Sequence, residues 1–491
     1  MRRALLLLAI VLILPPRTAT ADDRPNILFC IADDWGWPHA GAYGDEGLKT
    51  PTFDRLAREG VVFEHAFVSS PSCTPCRNAI LTGQWHWRLD TGANLWSQLP
   101  VGLPVYPLLL EDAGYRVGTS GKSYGPGRLK GWDRHPAGRK FPNFQAFLKN
   151  QPKDRPFCYW LGSSDPHRPY RLGSGRQSGI DPAKVHLFAH YPDDEVVRSD
   201  IADYYFEVQR FDGLIGRALA ALEAAGQLDN TIVVMTGDHG MPFPRCKGNL
   251  YDSGVRVPLA VRWGDRIPAG RRVTDMVSFV DLGPSFLSAA GVEAPAVMSG
   301  RNLLPILLSD KEGRVDPKFD TMYFGKERHC PAQVADNPGG YPCRGIRTDD
   351  YLYIRNFDPR RWPAGTPDYR NAYGNSWLGD CDGGPSKRYI VANKDLDEKH
   401  RKSYELCFGR RPGEELYDLK EDPDQLVNVA GDVAHAEIKA KLSARLIEKL
   451  RATGDPRVVG GGEKFDTYPY YGGAPRYPGD AAIEAYRRKA N

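Results

Sequence analysis

The sequence has little excess of charge of either sign. Its 491 residues carry 65 Lys and Arg against 61 Asp and Glu, which gives a formal net charge of +4 and leaves no basic tail. Recognition of nucleic acid through a basic surface is therefore not expected. Hydrophobic residues make up 41% of the chain and charged residues 26%, which is typical of a folded globular protein.

Long hydrophobic runs are also missing, with one short exception at the beginning of the chain. Arg2 and Arg3 precede an apolar run over residues 5–14, and residues 19–21 (Ala-Thr-Ala) offer small side chains for cleavage. This run is too short to cross a bilayer, which takes about 20 residues. We therefore predict a signal peptide over residues 1–21, an exported (periplasmic or secreted) protein, and no membrane span after cleavage.

The nine cysteines are an odd number, so at least one must be unpaired. Cys30 and Cys158 lie in apolar, strand-like runs and are expected to be buried thiols. The last four lie in the C-terminal third of the chain, where one or two disulfides are expected in an exported protein. These four are Cys330, Cys343, Cys381 and Cys407.

Five short apolar runs alternate with helical patterns in the first part of the chain. This alternation predicts an α/β fold, in which helices cover both faces of a large and mostly parallel sheet. The strand-like runs are residues 26–32, 115–121, 156–162, 231–237 and 258–263. The helical patterns cover residues 52–59, 105–113, 194–225 and 276–290.

The pattern of the sequence changes near residue 317. Three β-rich runs at 321–325, 345–357 and 414–419 are separated by a Gly, Pro and Asn-rich insertion, and a helical pattern covers residues 434–450. These features predict a smaller antiparallel α+β domain. We therefore expect a signal peptide (1–21), a large α/β domain (22–316), a smaller C-terminal domain (317–454) and a C-terminal tail (455–491).

Polar side chains follow four of the apolar runs. Asp33-Asp34, Lys122, the segment 164–167 and Asp238-His239 each come at or just after the end of a predicted strand. Ligands of open parallel sheets bind beyond the carboxyl ends of the strands. Two adjacent carboxylates that point into one site repel each other unless a cation lies between them, which suggests a metal site. In the alternative interpretation, Asp33 caps a loop and Asp34 faces solvent.

The segment 72–83, Ser-Cys-Thr-Pro-Cys-Arg-Asn-Ala-Ile-Leu-Thr-Gly, resembles the Cys-x-Pro-x-Arg signature of the type I sulfatases. The segment lies after Asp33-Asp34 and ahead of the other strand-end residues, which is the order that this family has. The resemblance extends from about Arg24 to Pro423, where Glu-Leu-Tyr-Asp-Leu-x-x-Asp-Pro looks like the C-terminal motif of the family. It implies the alkaline phosphatase-like fold of that superfamily.

The resemblance also implies a nucleophile and a metal. Cys73 would be converted to formylglycine by a formylglycine-generating or anaerobic sulfatase-maturating enzyme, and a hydroxyl of the hydrated aldehyde would attack the sulfate sulfur. Asp33, Asp34, Asp238, His239 and the formylglycine oxygen would hold one divalent ion, which in this family is usually Ca²⁺. His239 occupies a position where some members have Asn, so the identity of the metal stays open.

Four basic residues complete the implied site. Arg77 would orient the formylglycine, and Lys122 and Lys247 would place positive charge against the sulfate oxygens. His167 would act as the general acid. The loop 238–251 looks most like that of heparan N-sulfatases, which implies a sulfated carbohydrate as substrate. Whether the sulfate is O-linked or N-linked, whether the action is exo or endo, and the oligomeric state are left open.

Three positions depart from the family pattern. Cys76 stands where Ser is common and creates a Cys-x-x-Cys spacing, so a Cys73–Cys76 disulfide could compete with formylglycine formation. Tyr124 stands where many members have a histidine, and it could replace that histidine as a hydrogen-bond donor. Cys246 beside Lys247 could be a buried thiol or a wall of the pocket.

Two other functions fit parts of the pattern. The first is a phosphate or phosphonate ester hydrolase of the same superfamily, against which the Cys-x-Pro-x-Arg motif argues. The second is an inactive glycan-binding protein with a sulfatase fold, against which the intact set of polar residues argues. The aromatic side chains of residues 85–96, Trp132 and Trp362 could stack on a sugar or belong to the core.

Overall fold

The computed structural model describes residues 24–152 and 154–488. The expected signal peptide over residues 1–21 lies outside this part of the chain. Within the described residues, no helix has both the length and the apolar character that crossing a membrane requires.

The larger sheet has eight strands, and its centre is parallel. Along the sheet the strands lie in the order β8-β2-β7-β6-β1-β5-β3-β4, and only β7 runs antiparallel to its neighbours. The strands are β1 (Asn26–Ala32), β2 (Val61–Phe63), β3 (Arg116–Ser120), β4 (Arg139–Lys140), β5 (Phe157–Gly162), β6 (Thr231–Gly237), β7 (Leu259–Arg262) and β8 (Arg271–Val273). All five strand-like runs of the sequence lie in this sheet.

Nine helices of six or more residues accompany the sheets within the described residues. They are α1 (Pro51–Glu59), α2 (Cys73–Thr82), α3 (Tyr106–Asp112), α4 (Phe144–Lys149), α5 (Glu195–Ala224), α6 (Leu282–Ala289), α7 (Pro385–Ala392), α8 (Glu398–Phe408) and α9 (Ala436–Ala452). Shorter helical turns are Ser174–Gln177, Asp252–Val255, Leu304–Leu307, Pro456–Val459, Lys464–Thr467 and Asp480–Glu484.

Helices bury both faces of the larger sheet, as the continuous apolar runs predict. Along β1, Ile27 and Phe29 pack in a core with α2, α3 and α6, whereas Leu28 and Cys30 pack in a second core with α1, α4 and α5. Helices α7 and α8, which come much later in the chain, join the second core. The predicted fold class is confirmed.

The smaller sheet is antiparallel and has four strands in sequence order. They are β9 (Met322–Lys326), β10 (Cys343–Arg347), β11 (Tyr351–Asn356) and β12 (Glu414–Asp418). One face joins the core around α2, and the other packs under α9 through Leu442, Leu446 and Leu450. The second sheet therefore lies beside the helix that begins with Cys73.

Two expectations from the sequence were wrong. The helix predicted over residues 276–290 begins only at Leu282, because residues 277–278 form a short strand and Ser278 and Asp281 form a capping box around a 3-10 turn. The expected C-terminal disulfides are absent: all nine cysteines are free and buried. Cys30 and Cys158 are buried, as expected.

Candidate active site

The four strands that end in polar residues are neighbours in the order β6-β1-β5-β3. All four are parallel, so their carboxyl ends meet at one edge of the sheet. The chain turns sharply after β1, where Asp34 has a φ of 74°, and its amide donates to Asp238 Oδ1 at 2.8 Å. The ends of β1 and β6 are thereby joined directly.

Cys73 is the first residue of α2, and it points into this edge. Its Sγ lies 3.5 Å from Asp33 Oδ1 and 3.3 Å from His239 Nε2, and the residue is only 2% exposed. Burial, outweighing the nearby Lys122, raises the pKa of the Cys73 thiol well above its usual value. An unmodified Cys73 would therefore be a protonated thiol at neutral pH.

Arg77 lies one helical turn after Cys73 and faces the same cluster. Its Nε donates to Asp238 Oδ2 at 2.9 Å, and its Nη1 donates to the carbonyl oxygen of Lys122 at 2.7 Å. Although burial disfavours a charged guanidinium, Asp238 and Asp33 hold the pKa of Arg77 above its usual value. Arg77 thus ties α2 to the ends of β3 and β6.

Lys122 contacts Asp33 symmetrically, because its Nζ lies 2.6 Å from each carboxylate oxygen. Burial disfavours the charged carboxylate, but Lys122, His167 and Arg77 outweigh it and hold the pKa of Asp33 well below the usual range. The backbones of Gly162 and Lys122 lie very close together, because a Cβ on Gly162 would lie 1.7 Å from the carbonyl oxygen of Lys122.

The donor atoms fit a hard divalent cation. Asp33, Cys73, Asp238 and His239 each offer one ligand atom, and these atoms lie within 4.8 Å of one another. Asp34 Oδ1 is buried, has no hydrogen-bond partner among residues 24–152 and 154–488, and lies 3.3 Å from His239 Nε2. A contact of 3.0 Å between His239 Nδ1 and the carbonyl oxygen of Gly240 favours a proton on Nδ1, which leaves Nε2 free to act as a ligand.

Lys247 and His167 lie on the other side of Asp34. Lys247 Nζ is 2.9 Å from Asp34 Oδ2, and His167 Nε2 is 3.9 Å from the same oxygen. His167 Nδ1 lies 2.6 Å from the carbonyl oxygen of Arg168. All nine predicted site positions therefore lie at one edge of the sheet, although their chemical roles stay a prediction.

The structure adds two side chains that the sequence did not suggest. Asp382 Oδ2 lies 2.9 Å from Lys247 Nζ, and His329 Nδ1 lies 2.8 Å from Ser72 Oγ, beside the first residue of α2. Both come from the C-terminal part of the chain, in loops without a strand or helix pattern. The Gly-Gly-Pro sequence that follows Asp382 predicts only a turn, so no local sequence pattern indicated Asp382 as a site residue.

The structure shows the contacts of several side chains whose roles the sequence left open. The hydroxyl of Tyr124 bonds to the backbone of residues 97–99 and 128, so it does not replace the missing histidine. Trp85 and Trp87 stack on each other at 5.1 Å in the core under α9. Trp96 does pack beside Cys73, together with residues of the C-terminal segment.

Cys76 and Cys246 are both fully buried thiols. Cys76 packs in the core on its face of the larger sheet, and burial raises its pKa well above the usual value. Cys246 packs in the opposite core, where its Sγ lies 3.2 Å from the hydroxyl of Tyr191. Cys246 is therefore a core residue and not an open wall of the pocket.

The large, mostly parallel sheet with the smaller antiparallel sheet beside it is an alkaline phosphatase-like fold. Residues 25–292 match the sulfatase family, and residues 237–363 match the C-terminal region of N-sulphoglucosamine sulphohydrolase. The first match covers more than half of the chain. The chain therefore belongs to the sulfatase family.

Curated relatives are similar over most of their length. An ulvan-active sulfatase of Formosa agariphila is 27% identical, with 89% of this chain and 82% of that protein covered. The N-sulphoglucosamine sulphohydrolase of Homo sapiens is 29% identical, with 89% and 92% covered. The resemblance to N-sulfoglucosamine sulfohydrolases that the loop 238–251 suggested is confirmed.

Solved structures share the fold at lower identity. A protein in complex with its substrate D-glucosamine-2-N,6-O-disulfate matches with a TM-score of 0.63 and 21% identity, over 88% of this chain and 98% of that one. The phosphonate monoester hydrolase of Agrobacterium radiobacter matches with a TM-score of 0.64 and 18% identity, over 89% and 97%. The fold alone therefore does not separate sulfatase from phosphonate chemistry.

Proposed function

We propose that this protein is an exported sulfatase that removes sulfate from a carbohydrate, with formylglycine derived from Cys73 as nucleophile and one Ca²⁺ ion. The observation that carries the proposal is the position of Cys73. It begins a helix, its sulfur lies within 3.5 Å of Asp33 and His239, and Arg77 one turn later is fixed to Asp238.

The residues around Cys73 suit an anionic substrate. Lys122 and Lys247 flank the carboxylates from two sides, so a sulfate group beside Cys73 would meet two ammonium groups. Arg77 is fully buried and already bonded to Asp238, which makes it a positioning residue for the nucleophile. These fixed charges would stabilise the negative charge that moves toward the leaving group.

The metal would be held by Asp33, Asp34, Asp238 and His239, together with the oxygen that replaces Cys73 Sγ after modification. When bound, a divalent ion supplies charge that polarises the nucleophile and a sulfate oxygen. Three carboxylates favour calcium, because calcium prefers oxygen ligands, and one of their buried oxygens, Asp34 Oδ1, has no hydrogen-bond partner among the described residues.

His167 would donate a proton to the leaving group. Its Nδ1 is engaged with the carbonyl oxygen of Arg168, so the transferable proton would sit on Nε2 of a doubly protonated ring.

The similar proteins support a sulfated carbohydrate as substrate. The two relatives described above are named for action on ulvan and on N-sulphoglucosamine, and a further one, of Bacteroides thetaiotaomicron, is an N-acetylglucosamine-6-O-sulfatase that is 24% identical. The Cys-x-Pro-x-Arg segment favours sulfatase action over phosphonate ester hydrolysis. The nine predicted site positions that meet at the carboxyl edge argue against an inactive glycan-binding protein.

For the organisation of the chain, we propose the division at residue 316 between a catalytic α/β domain (22–316) and a C-terminal domain (317–454). The larger sheet ends at Val273 and the smaller sheet begins at Met322, which supports this division. Helices α7 and α8 nevertheless pack on α5, so the two parts share a core. The tail after residue 454 reaches back to Trp96, whose carbonyl oxygen accepts from the amide of Tyr471 at 2.9 Å.

Mass spectrometry of the Cys73 peptide, in protein from a host that has a maturating enzyme, tests the proposal. Conversion to formylglycine lowers the peptide mass by about 18 Da, and the converted protein is expected to hydrolyse an aryl sulfate. Cys73→Ala should fold and lack this activity, whereas Cys76→Ser should keep it. An unmodified thiol or a Cys73–Cys76 disulfide in active protein would contradict the formylglycine mechanism.

A further inference from the structure

Asp382 is a carboxylate that the metal and the nucleophile do not account for. One ligand atom each of Asp34, His167 and Asp382 lies within 4.8 Å of the other two, so Asp382 borders the side of the site where the leaving group would depart. Its side chain is 20% exposed, whereas the Asp34 side chain is fully buried. Asp382 therefore faces the open side of the cluster.

The loop that carries Asp382 is fixed from both sides. Asp380 forms a buried ion pair with Lys326 at 2.9 Å, and Lys387 Nζ donates to the carbonyl oxygen of Cys381 at 2.7 Å. Both ammonium groups are buried, which makes these contacts costly to break. A carboxylate held in this way is preorganised for one geometry.

Only one oxygen of Asp382 is used within the described residues. Oδ2 accepts from Lys247 at 2.9 Å, and no hydrogen bond there engages Oδ1. A negative charge beside a site for an anionic sulfate repels the substrate unless the substrate brings a donor to meet it. The geometry therefore calls for a hydrogen-bond donor, or a developing positive charge, on the leaving-group side of the sulfate.

We infer that Asp382 is a specificity-determining residue that receives the nitrogen of an N-sulfated amino sugar. This inference rests on the proposed sulfatase function. The N–H of the sulfamate would donate to Asp382 Oδ1, while Lys247, held by Oδ2, contacts the sulfate oxygens. An O-sulfate ester has no hydrogen on the bridging oxygen, so it gains nothing from this carboxylate.

The chemistry of the S–N bond gives the carboxylate a second effect. A hydroxyl of the hydrated formylglycine at position 73 bonds to the sulfate sulfur, its proton passes to water, and the S–N bond breaks. The sulfo group stays on the attacking oxygen, and the nitrogen takes a proton from His167 Nε2 and leaves as an amine. Protonation places positive charge on the nitrogen before the bond is fully broken. Asp382 stabilises that charge, whereas an alcohol leaving group carries none.

The test compares two substrates in Asp382→Asn and wild-type protein whose Cys73 is shown by mass to be converted. The substrates are N-sulfoglucosamine and N-acetylglucosamine 6-sulfate. For the variant we expect kcat/KM to fall about 30-fold on the N-sulfate and less than about 3-fold on the O-sulfate, since a hydrogen bond to a charged group contributes about 2 kcal/mol. Asp424→Asn, which removes a half-buried carboxylate elsewhere, should change neither.

The outcomes separate this inference from the proposed function. If Asp382 only positions Lys247, both substrates lose rate equally and the inference is overturned. If converted wild-type protein cleaves only the O-sulfate, the inference fails and the sulfatase function stands. If it cleaves neither these sugars nor an aryl sulfate, the proposed function itself fails.

A binding measurement covers the case in which Asp382→Asn folds poorly. In wild-type protein, glucosamine should inhibit aryl sulfate hydrolysis more strongly than N-acetylglucosamine, because only the free amine becomes a cation. Asp382→Glu, which keeps the charge but moves it, should reduce this preference. Equal inhibition by the two sugars in wild-type protein would contradict a role for Asp382 at the nitrogen.

Discussion

Arg77 Nε lies 2.9 Å from Asp238 Oδ2, and neither side chain is exposed to solvent. The pair joins the helix that begins with Cys73 to the end of a central strand. A buried ion pair of this kind adds little net stability compared with apolar residues, but the loss of one partner leaves an unpaired buried charge.

Arg77→Ala should therefore destabilise the fold by about 3–5 kcal/mol, in addition to abolishing hydrolysis. The control is Arg55→Ala, which removes partly exposed pairs with Glu59 and Glu223 and should cost about 1 kcal/mol or less. Urea unfolding of both variants measures the difference. Similar losses in the two variants would show that the Arg77–Asp238 pair is not a strong link in the fold.

Removal of the metal should lower the thermal stability of the protein. Without a cation, Asp33, Asp34 and Asp238 repel one another at the edge of the sheet, and Asp34 Oδ1 has no hydrogen-bond partner in the part of the chain that the structure describes. We expect the melting temperature to fall in a chelator and to recover when Ca²⁺ is added back. In Asp34→Asn the response to Ca²⁺ should be much smaller. A wild-type melting temperature that is indifferent to the chelator and to Ca²⁺ would rule out this metal site.

Gly162→Ala should reduce turnover without contacting the substrate. The added Cβ would lie 1.7 Å from the carbonyl oxygen of Lys122, so the segment that carries Lys122 has to move. We expect kcat to fall more than about tenfold, since shifts of about 1 Å at a site have effects of this size. Gly413→Ala, whose Cβ would enter open space, is the control. Unchanged kcat in Gly162→Ala would mean that the position of Lys122 does not limit catalysis.

His65 should make the protein sensitive to acid. Burial, with help from Arg256 and Arg347, lowers the pKa of His65 to about 3, whereas the unfolded chain binds this proton near pH 6.5. Between these values the unfolded state holds more protons, so stability is complete above about pH 6.5 and falls as the pH decreases, by up to about 1.4 kcal/mol per pH unit. His65→Gln should lose less stability than wild type between pH 7 and pH 5. An equal or larger loss, measured by urea unfolding at each pH, would contradict this assignment.

The larger sheet was predictable because each of its main strands is a short apolar run that can be recognised without knowledge of distant residues. Residues such as Phe29 and Leu28 pack into opposite cores, which requires a continuous apolar run. Asp33 and Lys122 follow two such runs directly, so the strand ends alone suggested that they meet. The helix predicted from residue 276 failed for an equally local reason, because the capping box at Ser278 is a start signal within an apolar stretch.

The rest of the site was not predictable from local patterns. Asp382 and His329 reach the site through long loops, and their positions depend on distant contacts such as the ion pair between Lys326 and Asp380. The role of Tyr124 stayed open in the sequence for the same reason. Its hydroxyl bonds to a backbone segment near Ser97, which is remote from it in sequence.

The segment around His329 closes over Cys73 from a distant part of the chain, since 257 residues separate Ser72 from its partner His329. During synthesis on a ribosome, Cys73 is therefore made well before the segment that covers it. Its side chain stays uncovered until that segment has been added. If Cys73 is modified as proposed, the modifying enzyme would therefore have to act before the chain has folded. A chain that has finished folding with an intact thiol, which is only 2% exposed, should resist the same enzyme until it is unfolded again.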